Sequence, residues 1–394
     1  MIKVTGKVNE AICFAKIFED KAKEQIETLC NQSFVSNSKI RIMPDVHAGK
    51  GCTIGTTMTI ADKVVPNLVG VDIGCGMYVM NIGKEEIDLK KLDKICYEVP
   101  SGKNIWDSKK ETFDISRLHC YPYLRTERVE KSIGTLGGGN HFIEVDRGSD
   151  GTQYLIIHTG SRNLGKQVAE YYQKVAIEQC ELKLQQRQRQ KIEELRNSGR
   201  EKEIQNELKK VKQDNSFIEE LAYLEGEKFN SYIHDIEICQ NFAKLNRETI
   251  AKYIAEKMGF QTFEKWHTIH NYIDIENMIL RKGAISAKKD EKVLIPLNMR
   301  DGSIIAVGKG NPEWNYSAPH GAGRLKSRTE AKKEITIDEY IKSMNGIYTS
   351  SVNMDTLDES PMSYKPKESI LDVIDETVEV LEVVKPIYNF KATE

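Results

Sequence analysis

The segment from Gly70 to Gly76 constrains this chain most, because it sets a cysteine and an aspartate in a backbone unsuited to a core strand. Three glycines among its seven residues let the backbone curl, so the side chains of Asp72 and Cys75 can converge on one point. A thiolate beside a carboxylate and imidazoles suits a borderline transition metal better than magnesium alone. The segment therefore indicates a metal cradle, although taken alone it is also compatible with a buried cysteine in a turn.

Five of the eight histidines stand in or beside turns marked by glycine or asparagine: His47, His141, His158, His270 and His320. His141 follows three glycines and Asn140, so its backbone can approach a phosphate closely, and His158 ends a very apolar strand. Either histidine alone could be a hydrogen-bonded core residue. Five such positions in one chain predict that several of them share a site. His267, one helical step before His270, is interpreted as structural.

Two further histidine motifs are too short to indicate a function by themselves. In the run from His320 to Arg324 an imidazole is flanked by glycine and backed by a guanidinium. A phosphoryl-accepting nucleophile needs such room for an incoming phosphorus and a fixed cation for its oxygens, whereas the alternative is a plain turn. Asp45 and His47 pair a carboxylate with an imidazole, and for this motif alone we expect a surface turn.

The segment from Gly160 to Gln167 follows a strand and matches the phosphate-binding P-loop motif at all but its last position. Gln167 stands where a magnesium-binding hydroxyl belongs, Arg162 lies inside the loop, and no acidic strand for the metal is evident. The segment therefore argues against a nucleoside-triphosphatase of the P-loop type. Phosphate contact by the loop and the start of the following helix remains an expectation.

The composition limits the classes of protein to which this chain can belong. The chain has 394 residues, 39% of them hydrophobic, with a formal net charge of −2, so it can bury a large core and is not built for nucleic-acid binding over its whole surface. A local basic groove stays possible. No run approaches the roughly 18 apolar residues of a membrane span, and the N-terminus turns polar at once. We therefore expect a cytoplasmic protein. Its eight scattered cysteines predict small buried side chains, not disulfides.

The pattern of elements predicts one α+β domain over residues 1–394 with mixed sheets. Short strands punctuated by glycine fill residues 1–160, and helices follow from 164 to about 259. Short strands return at 293–295 and 303–307, and residues 369–384 are expected to form an amphipathic helix. Residues 181–213, almost wholly polar, predict a projecting helical hairpin insertion. This arm is either a solvated two-helix element or a binding element for RNA or a partner.

Seven short motifs occur in chain order: Met43-Pro44-Asp45-Val46-His47, Gly70-Val71-Asp72-Ile73-Gly74-Cys75-Gly76, Leu136-Gly137-Gly138-Gly139-Asn140-His141-Phe142-Ile143-Glu144, His158-Thr159-Gly160-Ser161-Arg162, His270-Asn271, Arg281-Lys282-Gly283-Ala284 and His320-Gly321-Ala322-Gly323-Arg324. Together they closely resemble the RtcB family of RNA ligases, and the match runs from about residue 40 to the C-terminus. Any one motif would be weak evidence, but seven in order make a chance match improbable.

The resemblance implies an RtcB-like α+β fold and an enzyme, active as a monomer, that joins an RNA 3′-phosphate or 2′,3′-cyclic phosphate to a 5′-hydroxyl with GTP, in RNA repair or tRNA splicing. It implies two Mn²⁺ ions, bridged by the Cys75 thiolate and held by Asp72, Cys75, His141, His158 and His270. It makes His320 the nucleophile that takes GMP. The guanine nucleotide would contact Asn140, Glu144, Ser303, Ala322, Gly323, Tyr364 and Lys391, and phosphates would contact Arg162 and Arg324.

The chain departs from the family pattern in the stretch from Pro296 to Gly302, which replaces the usual Pro-Gly-Ser-Met-Gly, and at Pro319, before the expected nucleophile. Two alternatives stay open, and the altered stretch motivates the first of them. One is a manganese-dependent RNA cyclic-phosphate hydrolase or phosphodiesterase that lacks guanylylation. The other is a non-catalytic RNA-binding protein that uses the helical arm. Retention of every expected metal ligand and of His320 argues against the second.

Overall fold

The computed structural model describes residues 1–214 and 217–391, so residues 392–394 of the expected domain lie outside the described part. The chain is a mixture of helix and sheet, and the α+β prediction is confirmed. The described strands are β1 (Ile2–Thr5), β2 (Glu10–Cys13), β3 (Ile40–His47), β4 (Ile54–Thr59), β5 (Lys63–Val64), β6 (Gly76–Gly83), β7 (Phe142–Arg147), β8 (Gln153–Thr159), β9 (Leu224–Glu225), β10 (Glu264–Ile269), β11 (Asn271–Asp274), β12 (Ile279–Lys282), β13 (Ala284–Ser286), β14 (Lys292–Asn298), β15 (Gly302–Gly308), β16 (Ser317–Pro319) and β17 (Val378–Lys391).

Two large sheets, counted over the described residues, organise these strands. The first has the order β1-β2-β3-β4-β12-β11, and within it β2 and β3 run parallel. The second has the order β10-β6-β8-β7-β17-β15-β14 and is antiparallel throughout its described pairings. The central strand β8 is buried along its whole length, which explains why its sequence is a continuous apolar run and not an alternating one.

The described helices of α type are α1 (Asp20–Cys30), α2 (Leu89–Glu98), α3 (Arg162–Asn197), α4 (Ile204–Asp214), α5 (Glu227–Met258), α6 (Arg328–Glu334), α7 (Ile337–Ser343) and α8 (Glu368–Leu371). The helical stretch predicted from residue 164 to about 259 is therefore confirmed. The polar segment 181–213 forms the outer half of α3 and most of α4. Gly199, with a φ of +70°, lies in the turn between them, and Leu195 is buried where the two helices pack.

The helix predicted for residues 369–384 is wrong. Helix α8 ends at Leu371, a short 3-10 helix covers Ile374–Glu376, and β17 begins at Val378. The valines of this segment favour a strand, because β-branched side chains fit a pleated surface better than a helix. Strand β17 then pairs with both β15 and β7, and these non-local partners are invisible to a local amphipathic pattern.

In the described part of the chain, none of the helices is both long and apolar enough to cross a lipid bilayer.

Candidate metal centre and adjoining cavity

Strand register brings the expected metal ligands together from distant parts of the chain. Strand β8 lies between β6 and β7, and its residue His158 is paired with Met77 on one side and with Phe142 on the other. Cys75 directly precedes β6, and His141 directly precedes β7. Both residues therefore lie beside His158, at the same end of these three strands.

His270 directly follows strand β10 and lies at the same end of the sheet as Cys75 and His141. Its neighbour Ile269 is paired with Gly76 of β6, and the His270 backbone N–H donates to the Cys75 carbonyl at 2.9 Å. A side chain at Gly76 could not be accommodated, because a Cβ there would lie 2.4 Å from the Thr268 carbonyl oxygen. The glycine after Cys75 therefore permits the close approach of the two strands that carry the cluster.

The side chains of the cluster are within ligand distance of one another. The Cys75 Sγ lies 3.3 Å from His158 Nε2 and 3.5 Å from His141 Nε2. His141 Nε2 lies 2.9 Å from an oxygen of Asp72. Ligand atoms within 4.8 Å of each other define two groups, Cys75 with His158 and His270, and Cys75 with Asp72 and His141. Cys75 is thus the one member common to both groups.

Two glycines shape the wall around this cluster. A Cβ at Gly160 would lie 2.1 Å from Asp72 Oδ1, and a Cβ at Gly137 would lie 1.9 Å from Arg162 Nη1. Gly137 also has a φ of +87°, in the left-handed region that favours glycine. The glycine-rich motifs are therefore needed so that backbone can lie directly against the ligand side chains.

Burial sets the protonation of the cluster. It lowers the pKa values of His158 and His270 well below their ordinary value, and neighbouring positive groups add to the effect. Both imidazoles are therefore neutral at pH 7, the form that binds metals. Burial raises the pKa of the Cys75 thiol, and the Asp72 carboxylate raises it further. A cation between these groups reverses that preference and favours the thiolate.

The donor set fits a borderline divalent metal. One thiol, three imidazoles and one carboxylate match the ligands that such ions accept in proteins. His270 Nδ1 is buried, and among the described residues it has no hydrogen-bond partner. A buried nitrogen without a partner is costly unless it binds a ligand, so this atom favours occupation of the site by an ion.

His320 lies beside the cluster and is held by a buried carboxylate. Its ring centroid is 5.0 Å from that of His270, and its Nδ1 is 2.6 Å from Asp45 Oδ2. The surface turn expected at Asp45 and His47 is wrong, because Asp45 is fully buried in strand β3. No local pattern indicates this partnership, since 275 positions separate Asp45 from His320.

A cavity of about 270 Å³ opens beside His320. Ten of the fifteen predicted site residues line it: Asn140, Glu144, His158, His270, His320, Ala322, Gly323, Arg324, Tyr364 and Lys391. Asp72, Cys75, His141 and Arg162 lie behind its wall in or beside the cluster. Of the described residues predicted to hold the nucleotide, Ser303 alone is outside the lining; it is fully buried in β15.

Three lining residues of the cavity contact a buried carboxylate, Glu359, which the sequence motifs did not indicate. Glu359 accepts hydrogen bonds from Lys391 Nζ at 2.9 Å, Tyr364 Oη at 2.5 Å and Arg324 Nη1 at 3.1 Å. Although burial opposes its ionisation, Lys391 and Arg324 hold the pKa of Glu359 below its ordinary value. The only local signal was an acidic pair before Ser360-Pro361, which is common in solvated turns.

The two arginines expected to meet phosphates differ in their surroundings. Arg324 is tied to Glu359 and to the Asp358 carbonyl, so its cation is already compensated. Arg162 donates to Thr135 Oγ1 and to the Gly102 carbonyl and has a φ of +56°, which is strained for a residue with a side chain. Its guanidinium lies against Gly137, and burial lowers its pKa while the nearby Asp72 and Cys75 raise it in part.

The altered stretch from Pro296 to Gly302 also borders the cavity. Leu297, Asn298 and Met299 contribute to its lining, and Asn298 Nδ2 donates to Asp301 at 2.8 Å. The turn is therefore braced by its own side chains.

The buried cysteine–histidine–aspartate cluster fits a metal-dependent enzyme, and the cavity beside it contains an oriented imidazole. The sequence matches the family described as tRNA-splicing ligase RtcB over residues 25–121 and 117–392. The chain belongs to the RtcB family, as its ordered motifs predicted.

Relatives from bacteria and archaea extend this match over most of the chain. The RNA-splicing ligase RtcB of Escherichia coli (strain K12) is 28% identical over 416 residues, covering 95% of this chain and 94% of the relative. The tRNA-splicing ligase RtcB of Aeropyrum pernix is 29% identical over 430 residues, covering 84% and 83%. That of Archaeoglobus fulgidus is 27% identical over 455 residues, covering 91% and 88%.

Proposed function

We propose that this protein is an RNA ligase that joins an RNA 3′-phosphate or 2′,3′-cyclic phosphate end to a 5′-hydroxyl end and consumes GTP. One observation carries the proposal: His320, fixed by a buried carboxylate, faces the same cavity as two imidazoles of the candidate metal cluster. Membership of a family described as tRNA-splicing ligases supports RNA as the substrate.

Two Mn²⁺ ions are the metals that we propose for the cluster, with Asp72, Cys75, His141, His158 and His270 as ligands. Cys75 suits the bridging position because it is common to both groups of candidate ligands. When bound, divalent ions supply positive charge that offsets the charge of phosphate oxygens during phosphoryl transfer.

His320 is the nucleophile in this proposal. Asp45 accepts the Nδ1–H, so Nε2 keeps its lone pair. Nε2 attacks the α-phosphorus of GTP; a nitrogen–phosphorus bond forms, the bond to the β-phosphate oxygen breaks, and pyrophosphate leaves. An oxygen of the RNA 3′-phosphate then attacks the same phosphorus and displaces His320. The RNA 5′-hydroxyl oxygen finally attacks the activated 3′-phosphorus and expels GMP, and its proton passes to solvent. A 2′,3′-cyclic phosphate is first hydrolysed by water, which opens the bond to the 2′-oxygen and gives the 3′-phosphate.

The cavity residues provide the groups that a guanine nucleotide requires. We propose that Glu144 accepts hydrogen bonds from the guanine edge and that Asn140, Ala322, Gly323, Tyr364 and Lys391 complete the nucleotide site. Ser303 would join them only after a local rearrangement, because it is buried behind the lining. Arg162 and Arg324 are proposed to meet phosphates, and Arg162 has the guanidinium nearer to the metal cluster.

Labelling with GTP tests this function. The protein incubated with Mn²⁺ and GTP labelled at the α-phosphate should acquire acid-labile covalent GMP, and His320→Ala should acquire none. His119→Ala is the matched control, because His119 is exposed and remote from the cavity lining. Joining of RNA ends by His320→Ala would refute the nucleophile. Opening of a cyclic phosphate by wild-type protein that never becomes labelled would instead establish the hydrolase, the alternative favoured by the altered 296–302 stretch.

A further inference from the structure

Tyr123 is a large aromatic residue that is exposed to solvent although its ring also has a stacking partner. Its side chain is 69% exposed, yet its ring stacks on Tyr171 of α3 with a centroid distance of 4.9 Å and an interplanar angle of 21°. The loop that carries Tyr123 therefore presents a supported aromatic face to the solvent. Exposed stacked tyrosines of this kind are suited to binding a flat apolar group.

The loop is fixed to α3 by reciprocal hydrogen bonds. Gln167 accepts from the Arg125 backbone N–H at 2.7 Å and donates to the Arg125 carbonyl at 3.1 Å. Gln167 and Tyr171 are four residues apart, so one face of α3 holds both the backbone and the ring of the loop. The aromatic face is thus positioned before any ligand arrives, which lowers the entropic cost of binding.

Exposed cations lie near this face in the chain, and backbone contacts link two of them to Arg162 beside the metal cluster. Arg162, beside the cluster, donates to the Gly102 carbonyl, and Arg128 donates to the carbonyl of the next residue, Lys103, at 3.0 Å. Lys103, Arg125 and Arg128 are all exposed, and the side chains of Lys103 and Arg125 form no ion pair within the described residues. Tyr171 follows Arg162 by nine residues, or about 14 Å along the helix axis.

Two carboxylates near Tyr171 are already paired with lysines, Glu170 with Lys166 and Glu178 with Lys174. Glu127 is the exposed carboxylate between Arg125 and Arg128, and Glu130 is already paired with Lys109. Exposed cations near a supported aromatic face match the two features of a single-stranded nucleic acid, a phosphate backbone and free base faces. A duplex fits less well, because its bases are already covered by their neighbours.

We propose that Tyr123, supported by Tyr171, is a stacking platform for an unpaired base of the RNA substrate, and that Lys103, Arg125 and Arg128 bind the phosphates between that base and the reacting end. The platform rests on the proposed RNA ligase function and narrows its substrate to RNA ends with an unpaired stretch next to the junction. Stacking on an aromatic face is tolerant of sequence, so the platform selects for single-strandedness and not for a particular base.

Full-length Tyr123→Ala, Tyr123→Phe and Phe263→Ala proteins test the platform. Phe263 is the matched control, an exposed aromatic residue at 66% on a different loop. The substrates are an RNA pair with single-stranded ends and one with ends held in a duplex. For the single-stranded pair, Tyr123→Ala should raise the KM for RNA roughly 5- to 100-fold with kcat unchanged. Tyr123→Phe should restore the wild-type KM, because it keeps the ring, and Phe263→Ala should not alter it.

A salt titration tests the cations independently. Binding of a fluorescent single-stranded RNA with a 3′-phosphate should weaken in Arg125→Gln, and the slope of log affinity against log salt should fall by about 0.7. An unchanged KM and RNA affinity in Tyr123→Ala would overturn the platform. Labelling of His320 by GTP needs no RNA, so it separates the two proposals: a wild-type protein that is not labelled contradicts the ligase, whereas a labelled Tyr123→Ala protein with normal RNA affinity contradicts only the platform.

Discussion

One oxygen of Asp45 holds His320 at two points: it lies 2.6 Å from the ring Nδ1 and accepts the His320 backbone N–H at 3.1 Å. Because Asp45 is fully buried, this contact is shielded from competing water. The carboxylate therefore fixes both the orientation of the ring and the tautomer in which Nε2 is free of a proton.

Asp45→Asn should slow guanylylation of His320 roughly 100-fold or more, because the asparagine amide can donate to Nδ1 and leave the proton on Nε2. Single-turnover labelling with α-labelled GTP measures the rate. Thermal unfolding of the same variant separates this effect from loss of structure, since the substitution keeps the size of the buried side chain. A rate equal to that of the wild type would show that Asp45 does not set the tautomer.

Cys75→Ala should abolish stoichiometric manganese binding, because it removes the residue common to both groups of candidate ligands. Metal content after gel filtration, and the rise in Tm on addition of Mn²⁺, provide readouts that do not depend on activity. Cys96→Ala is the control, since Cys96 is also fully buried but lies in a hydrophobic cluster. Equal metal content in the two variants would remove the thiolate from the proposed site.

The affinity for GTP should increase as the pH rises from 6 to 8. Burial raises the pKa of Glu144 to about 7, so at pH 6 its carboxyl is largely protonated and cannot accept from both N–H groups of a guanine edge. At pH values below this pKa, each rise of one pH unit should lower the KM for GTP by up to about tenfold. In Glu144→Gln the group is neutral throughout, so the KM should be higher at pH 8 and nearly independent of pH. A pH dependence retained by that variant would assign the titration to another group.

The sequence motifs indicated which residues gather around the cluster and the cavity, but not the carboxylates that hold them in place. The motifs around Cys75, His141 and His158 matched a known family in chain order, and the apolar run before His158 predicted strand β8. Asp45 and Glu359 were not recognised, because each acquires its role only from a partner far along the chain. A carboxylate in a short motif carries no local sign that folding will bury it against a histidine or a lysine.

The secondary structure was also predicted correctly where it depends on the local sequence, and wrongly where it depends on distant strand partners. Strands at 293–295 and 303–307 were predicted because their apolar runs and flanking turns are local, and β14 and β15 contain them. Strand β17 was mistaken for a helix because its outward-facing glutamates produced an amphipathic pattern. Its state is decided by pairing with β7 and β15, and the sequence gives no local measure of that pairing.

Glu359→Gln should lower the free energy of unfolding by about 3 kcal/mol, because it leaves the buried Lys391 cation and the partly buried Arg324 cation without their carboxylate. Urea unfolding at pH 7 measures the loss. Asp375→Asn is the control: that carboxylate is 93% exposed and paired with Lys309, so its loss should cost less than about 1 kcal/mol. The folded-state pKa of Glu359 lies below its ordinary value of 4.5, so its stabilisation is complete above that pH and is lost as the pH falls further. The difference between wild type and Glu359→Gln should therefore shrink on acidification below pH 4.5, and a difference that stays constant there would show that charge compensation is not its cause.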